Sequence, residues 1–383
     1  MKQITILGST GSIGRNTLEV IKHFPNEFRV FGLSTNSNIR ILSDQIKKFF
    51  PEVVVVRDTF KAERLKRNIN NKIILLGGED GLIELSGIKV ELLVMAISGS
   101  AALFPLIKAI ETQPMIALAN KEALVMAGPL INQKVKETGT KIIPIDSEQS
   151  AIWQCLEDRD KSTLKKIYLT ASGGPLKDID KRDFRKISLE KVLNHPCWKM
   201  GKKITVDSAT LMNKGLELFE TMYLFGVDIS KIDILIHPEA VIHSMVEFID
   251  GSVLAQLSIT DMRIPIQYAL SYPKRLRGFL KPLNFIKIKN LTFLKPDLNK
   301  FPCLTFAYEA AKAGGTLPVV LNASNEIAVE SFLKRRINFS NIPKVIEKVM
   351  KLHKNIKKPT LHDIISVHQW ARKKAEEVVN NFN

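Results

Sequence analysis

The sequence predicts an α/β protein: an N-terminal Rossmann-like doubly wound domain, a central α+β domain carrying a mobile lid, and a C-terminal helical bundle. Three observations lead there. Short apolar runs alternate with helical patterns through residues 2–145, a glycine-rich turn joins the first run to the first helix, and residues 304–380 read mostly as helix. At 383 residues the chain has material for two or three domains, each with its own core.

In the N-terminal part, strands are expected at residues 2–7, 28–34, 53–56, 73–76, 92–97, 115–118 and 142–145, with helices between them. The first strand runs into Gly8-Ser9-Thr10-Gly11-Ser12-Ile13-Gly14 and a helix to about residue 24. In that context the G-x-x-G-x-x-G spacing is a phosphate turn. Gly8 and Gly11 let the backbone approach a pyrophosphate, Gly14 lets helix and strand pack closely, and free N–H groups with Thr10 and Ser12 hydroxyls meet phosphate oxygens. A purely structural turn is the alternative. The second strand ends in Thr35-Asn36-Ser37-Asn38-Ile39-Arg40 with no carboxylate to repel a 2′-phosphate, which favours NADPH over NADH, with Arg40 nearby.

Ligands of open α/β sheets sit beyond the carboxyl ends of the strands. Three further turns open there: Ile97-Ser98-Gly99-Ser100, Ala119-Asn120-Lys121-Glu122 and Ile145-Asp146-Ser147-Glu148. Asn120 reads equally as a helix cap and Glu122 as a first-turn acid. If the backbone stays extended through Ser147, Asp146 and Glu148 point to one side. Two converging carboxylates suit Mg²⁺ or Mn²⁺ and need a third oxygen ligand from elsewhere; the bland reading is a strand end with solvated acids.

The central region opens with a short helix at 149–156 and a strand at 167–171. Residues 172–202 are bracketed by Gly173, Gly174 and Pro175 at one end and Pro196 and Gly201 at the other, and carry His195, Trp198 and Met200. This is the pattern of a lid, or of a surface excursion with Trp198 packed inward. Asp207 or Ser208 is expected to cap a helix to about residue 225, on which Asn213, Lys214 and Glu217 share a face. That face supplies either hydrogen bonds and a third metal carboxylate, or a solvated Lys–Glu pair. Strands at 232–236, 241–248 and 252–259, with an Asp250-Gly251 turn, suggest a second, more antiparallel sheet in which His237 and His243 are structural. A proline-punctuated connector covers about 271–300, and helices follow at 304–313, 323–334, 342–352 and 364–380. The expected division is 1–146, 147–271 with the lid at 172–202, a linker at 272–300, and 301–383.

The net charge is +17, but the lysine-rich stretches are scattered and no stripe interleaves them with aromatics. Such a field suits anionic small substrates better than nucleic acid. Cys155, Cys197 and Cys303 form no metal or C-x-x-C pattern and read as reduced thiols of a cytoplasmic protein. No apolar run nears the about 18 residues of a membrane span, and the first strand, from about residue 3, leaves no room for a targeting peptide.

The phosphate turn, Ala119-Asn120-Lys121-Glu122, Asp146-Ser147-Glu148, His195-Pro196-Cys197-Trp198-Lys199-Met200-Gly201, Met212-Asn213-Lys214-Gly215-Leu216-Glu217, Ile236-His237-Pro238 and Leu321-Asn322-Ala323-Ser324-Asn325-Glu326 occur here in one order. In that order they resemble the 1-deoxy-D-xylulose 5-phosphate reductoisomerases, almost end to end. The resemblance implies reduction and rearrangement of 1-deoxy-D-xylulose 5-phosphate to 2-C-methyl-D-erythritol 4-phosphate, in the non-mevalonate isoprenoid route, by a homodimer using NADPH and Mg²⁺ or Mn²⁺. It implies cofactor contacts from Thr10, Gly11, Ser12, Ile13, Asn38, Asn120, Glu122 and Gly201, and metal ligation by Asp146, Glu148 and Glu217. Substrate contacts fall to Lys121, Ser147, Glu148, Ser172, His195, Ser208, Asn213, Lys214 and Glu217, with Lys121, Glu148 and His195 nearest the chemistry. Where some relatives have Gly-Lys-Asn this chain has Asn36-Ser37-Asn38, and Arg40 is the candidate substitute for the missing lysine. A metal-independent Rossmann dehydrogenase of a small phosphorylated or acidic carbonyl compound is the alternative, and it leaves Asp146, Glu148, Glu217 and the lid without a role.

Overall fold

The computed structural model describes residues 1–198 and 200–382. Lys199 of the His195–Gly201 motif and Asn383, the last residue of the expected C-terminal domain, lie outside the described residues. The chain forms two compact units. The first comprises Met1–Ala123, Pro129–Ser150 and Asp261–Lys281; the second comprises Leu124–Gly128, Ala151–Thr260 and Pro282–Asn383.

The first unit is built on a seven-stranded parallel sheet: β1 (Lys2–Leu7), β2 (Phe28–Thr35), β3 (Val53–Val56), β4 (Ile74–Gly77), β5 (Leu92–Met95), β6 (Met115–Leu118) and β7 (Lys141–Pro144), in the order β4-β3-β2-β1-β5-β6-β7. The central strands are apolar on both faces because helices cover both: the Val-Val-Val-Val of β3 and Leu-Leu-Val-Met of β5 are fully buried. Leu18 and Ile21 of the helix Ser12–His23 pack on this sheet, as do Ile266 and Leu270 of the helix Arg263–Ser271. Strand order reverses beside β1, which pairs with β2 on one side and β5 on the other, so a crevice opens beyond its carboxyl end.

The glycine turn occupies that end. Gly8 has φ +90°, and a Cβ on it would lie 2.6 Å from the Ala96 carbonyl oxygen. A Cβ on Gly14 would lie 2.4 Å from the Gly8 oxygen and 2.5 Å from Ser9 Cα, so helix and turn touch backbone to backbone.

The end of β7 corrects one expectation. The backbone does not stay extended through Ser147: the strand stops at Pro144, and a helix, Ser147–Leu156, begins. The Asp146 carbonyl accepts from Ser150 N at 2.8 Å, the first turn of that helix, and Glu148 sits in it as a first-turn acid. The helical turn, not a pleat, sets the directions of the two carboxylates.

The second unit contains a four-stranded sheet, order β11-β10-β8-β9, made of β8 (Leu164–Ala171), β9 (Ile232–Ile236), β10 (Ile242–Phe248) and β11 (Val253–Leu257). It is mixed: β10 runs antiparallel to β8 and β11, while β8 and β9 are parallel. Helices Met212–Phe225, Pro302–Ala313, Leu317–Leu333, Ile342–Leu352 and Leu361–Asn380 complete it. The helix expected from residue 323 starts at Leu317, because Pro318 falls in the first turn, where its missing N–H has no partner to lose. A further correction concerns Asp207 and Ser208. They do not cap the helix bearing Asn213. They end a separate helix, Lys202–Ala209, and Leu211 turns the chain with φ +58° before the next begins. A buried leucine in the left-handed region costs about 1–2 kcal/mol, a strain the packing must hold.

Gly14→Ala is expected to destabilise the chain by about 1–3 kcal/mol, since neither backbone can move aside. Gly201→Ala, where a Cβ meets nothing within 4 Å, should stay within about 0.5 kcal/mol. Thermal unfolding of the two variants beside the parent checks the contrast.

Candidate active site

In the first unit the expected cofactor residues gather at the carboxyl ends of the strands. Among the described residues no side chain caps the helix Ser12–His23, whose Ncap position is Gly11. Thr10 Oγ1 meets Thr35 Oγ1 at 2.6 Å, tying the turn to the end of β2. Asn38 accepts from Ile41 N and caps the helix Ile39–Phe49; Arg40, one residue inside it, is exposed. A buried network that the sequence did not disclose stiffens the turn. Ser9 Oγ donates to Gln45 Oε1 at 2.7 Å, Gln45 Nε2 returns a bond to the Ser9 carbonyl, and Ser34 Oγ accepts from Gly8 N. Gln45 lies 36 residues from Ser9, and no local pattern joins them.

Beyond β6, Asn120 is both a cap and a brace. Its Oδ1 accepts from Ala123 N at 2.8 Å, and its amide donates to the Ile97 and Gly99 carbonyls and to Glu122 Oε2. The turns after β5 and β6 are thereby one piece. Next to it, Lys121 Nζ donates to Asp146 Oδ2 at 2.6 Å in a pair with side chains 7% and 17% exposed. Ser147 Oγ donates to Glu148 Oε2 at 2.6 Å.

In the second unit, Glu217 is fully buried and both its oxygens are engaged, Oε1 by Asn213 Nδ2 at 2.6 Å and Oε2 by the Lys214 ammonium. His195 Nε2 lies 3.2 Å from Ser172 Oγ and 3.0 Å from Ser208 Oγ. Its Nδ1 accepts from the backbone N–H groups of Cys197 and Trp198 at 3.2 and 3.0 Å. An atom that accepts twice carries no proton, so the proton of the neutral ring is on Nε2, facing the two seryl oxygens. Burial pushes the imidazole down to about 4. Trp198 is half-buried, its ring 6.0 Å from that of His243. Gly201 opens the helix Lys202–Ala209 with no side-chain cap. His237 is fully buried with both ring nitrogens within bonding distance of backbone partners, and His243 Nε2 bonds Ser258, as structural histidines do.

Asp146 and Glu148 stand just beyond β7 in the first unit, and Glu217 on the helix Met212–Phe225 in the second. Each unit thus sets a carboxylate against an ammonium, Asp146 against Lys121 in the first and Glu217 against Lys214 in the second. An all-oxygen donor set of this kind fits a hard divalent cation and disfavours zinc.

Three family models together match most of the chain: 1-deoxy-D-xylulose 5-phosphate reductoisomerase over residues 4–128, its C-terminal domain over 142–225, and the DXP reductoisomerase C-terminal domain over 257–374. A reductoisomerase of Endomicrobium trichonymphae is 51% identical over 386 residues, covering 100% of both chains, and one of Thermoanaerobacter pseudethanolicus is 50% identical over 377 residues, covering 98% of each. The chain belongs to the 1-deoxy-D-xylulose 5-phosphate reductoisomerase family. Among solved reductoisomerases, one in complex with NADPH, fosmidomycin and magnesium is 37% identical with a TM-score of 0.94, over 99% of this chain and 98% of that one. The enzyme of Zymomonas mobilis in complex with NADPH is 38% identical with a TM-score of 0.91, over 99% of each. The motifs that carried the resemblance to the reductoisomerases thus sit at strand ends, on the helices Met212–Phe225 and Leu317–Leu333 and in the segment around His195.

His195 should remain neutral across the physiological range. Its folded value lies below the ordinary 6.5, so the unfolded chain takes up a proton between about pH 6.5 and pH 4 that the folded chain refuses. The stability it contributes is full above about pH 6.5 and is lost as the pH falls toward 4. An NMR titration of the His195 ring nitrogens should show an unprotonated Nδ1 at pH 5; a midpoint near 6.5 would contradict the buried, doubly accepting ring.

Proposed function

We propose that this chain converts 1-deoxy-D-xylulose 5-phosphate to 2-C-methyl-D-erythritol 4-phosphate, with NADPH as reductant and Mg²⁺ or Mn²⁺ as metal. The observation that carries the reading is that, in a chain of this family, the motif carboxylates Asp146, Glu148 and Glu217 are each held by a lysine or hydroxyl of their own unit. A metal-independent dehydrogenase has no use for them.

Asp146, Glu148 and Glu217 would hold the cation. When bound, such an ion polarises a substrate carbonyl and acidifies a neighbouring hydroxyl. NADPH supplies the hydride that reduces the rearranged aldehyde; Thr10, Gly11, Ser12, Ile13, Asn38, Asn120, Glu122 and Gly201 would hold it, the phosphates against the uncapped helix end. Lys121 neutralises Asp146 and has a proton to share there. Ser147, with its hydroxyl on Glu148, orients that carboxylate and reaches the substrate. Ser172, Ser208, Asn213 and Lys214 would bind phosphate or hydroxyl oxygens, and His195, neutral with its proton on Nε2, would serve as a donor. Residues 172–202 would cover the fragments and exclude water while the carbon skeleton rearranges, so that they recombine instead of diffusing apart.

Two wider readings accompany this one. A homodimer is supported by exposed apolar residues on the second unit: Val253 on the edge strand β11, and Phe285, Ile286 and Leu294 on the connector that meets β9. Edge strands and apolar patches left open in a single chain suit a second copy. A cytoplasmic setting is supported by three free cysteines, two of them buried. Among the described residues no helix is long and apolar enough to cross a membrane.

NADPH oxidation on addition of 1-deoxy-D-xylulose 5-phosphate should depend on Mg²⁺ or Mn²⁺ and stop in EDTA; turnover undiminished by the chelator would sink the reading. Asp146→Asn and Glu217→Gln should each lower kcat/KM on the order of 100-fold or more, at or above what losing an outer-shell partner does. NADPH affinity, read by nucleotide fluorescence, should survive both. Ile286→Asp should shift the species seen by light scattering from dimer toward monomer.

A further inference from the structure

Asn325 lies on the helix Leu317–Leu333 and is completely buried. Its amide Nδ2 donates to Asp207 Oδ1 at 2.9 Å, a bond between residues 118 apart in sequence. A carboxylate accepts only, so chemistry fixes which end of the Asn325 amide points at it. Asp207 is 1% exposed. The Lys203 ammonium is 2.8 Å from its other oxygen, in an ion-pair contact outside hydrogen-bond geometry. The Asn325 bond is therefore the directional one. The next residue in the chain is Ser208, whose hydroxyl meets His195 Nε2.

The other side of Ser208 is closed as well. Gly174, with φ +71°, packs so tightly that a Cβ on it would lie 2.6 Å from the Ser208 carbonyl oxygen. Gly174 N also donates to Ser172 Oγ, the second seryl oxygen at the imidazole. Ser172, Ser208 and His195 thus form one assembly, and its fixed point in the interior is the Asp207–Asn325 bond. The helix bearing Asn325 is itself held from outside: Glu326 accepts from Arg372 at 2.9 Å and from Asn322.

We propose that Asn325 is a positioning residue for the reaction: by anchoring Asp207 it fixes Ser208, and through Ser208 the donor end of His195. The proposal rests on the reading that Ser208 and His195 contact the substrate. A displacement of the order of 1 Å in such contacts costs up to about 100-fold in rate or affinity, while the NADPH residues of the first unit have no part in the linkage.

The test reverses the bond. Asn325→Asp removes the donor and sets two carboxylates together; adding Asp207→Asn restores a hydrogen bond of opposite polarity with the same total charge. Asn325→Asp should raise KM for 1-deoxy-D-xylulose 5-phosphate about 10–100-fold and shift the His195 ring-nitrogen resonances. The double variant should return KM to within a few-fold of the parent. Parental KM in the single variant, with unshifted His195 resonances, would overturn the proposal. So would a folded double variant whose KM stays raised, which also decides the matter if the single variant does not fold. Shifted His195 resonances with a parental KM would instead overturn the assignment of Ser208 and His195 to the substrate, leaving the linkage itself in place.

Discussion

A lysine buried against a carboxylate is the interaction on which the rest of this structure depends. Lys121 with Asp146 and Lys214 with Glu217 are such pairs. Removing an ion from water costs several kcal/mol even after relaxation, and removing one partner of a buried pair costs about 3–5 kcal/mol. Such pairs are therefore weak devices for stability, and each has to be enclosed by further hydrogen bonds. Asn213 completes Glu217, and the Asn120 brace fixes the turn from which Lys121 extends. Within each unit the surrounding fold holds these charges at fixed points.

The parallel sheet of the first unit does much of this placing without special sequence. Every strand of a parallel sheet ends on the same side, so one edge collects the turns after β1, β2, β5, β6 and β7. What must be specified is the stiffness of those turns. Ser9, Ser34 and Gln45 supply it for the glycine turn, Asn120 for the turns after β5 and β6, and the helix beginning at Ser147 for the carboxylates.

The strands were legible because burial writes itself into the apolar pattern, as unbroken runs in β3 and β6 and as apolar residues interrupted by polar ones in β1 and β9, and all four fall at the residues expected. The family was legible because its motifs follow one another in order. Local backbone direction was less so. Asp146-Ser147-Glu148 reads as an extended strand end, yet the last ladder bond is Ile145 N to the Leu118 carbonyl, and the Asp146 carbonyl already accepts from Ser150 N in a helical turn. The break at Leu211 carries no glycine or proline to announce it; tertiary packing holds a leucine where its own preference would not put it. Partners distant in sequence, Gln45 for Ser9 and Asn325 for Asp207, leave no periodic trace at all. Chemistry was readable from residue types, while its supports were not, because supports are chosen by the folded contact and not by spacing.

The double acceptance at His195 Nδ1 limits what can sit beside the ring. With the ring's one proton on Nε2 and the Gly174 amide already given to Ser172, the oxygens of Ser172 and Ser208 are supplied with donors from within. Their own hydroxyl protons are the ones left to point away. A visitor to this corner meets an inventory of outward protons with few lone pairs on offer. Phosphate, phosphonate and carboxylate oxygens satisfy that inventory; an ammonium or amide N–H leaves it frustrated. An oxyanion at this corner would be met by seryl hydroxyls, with no formal charge on the imidazole required.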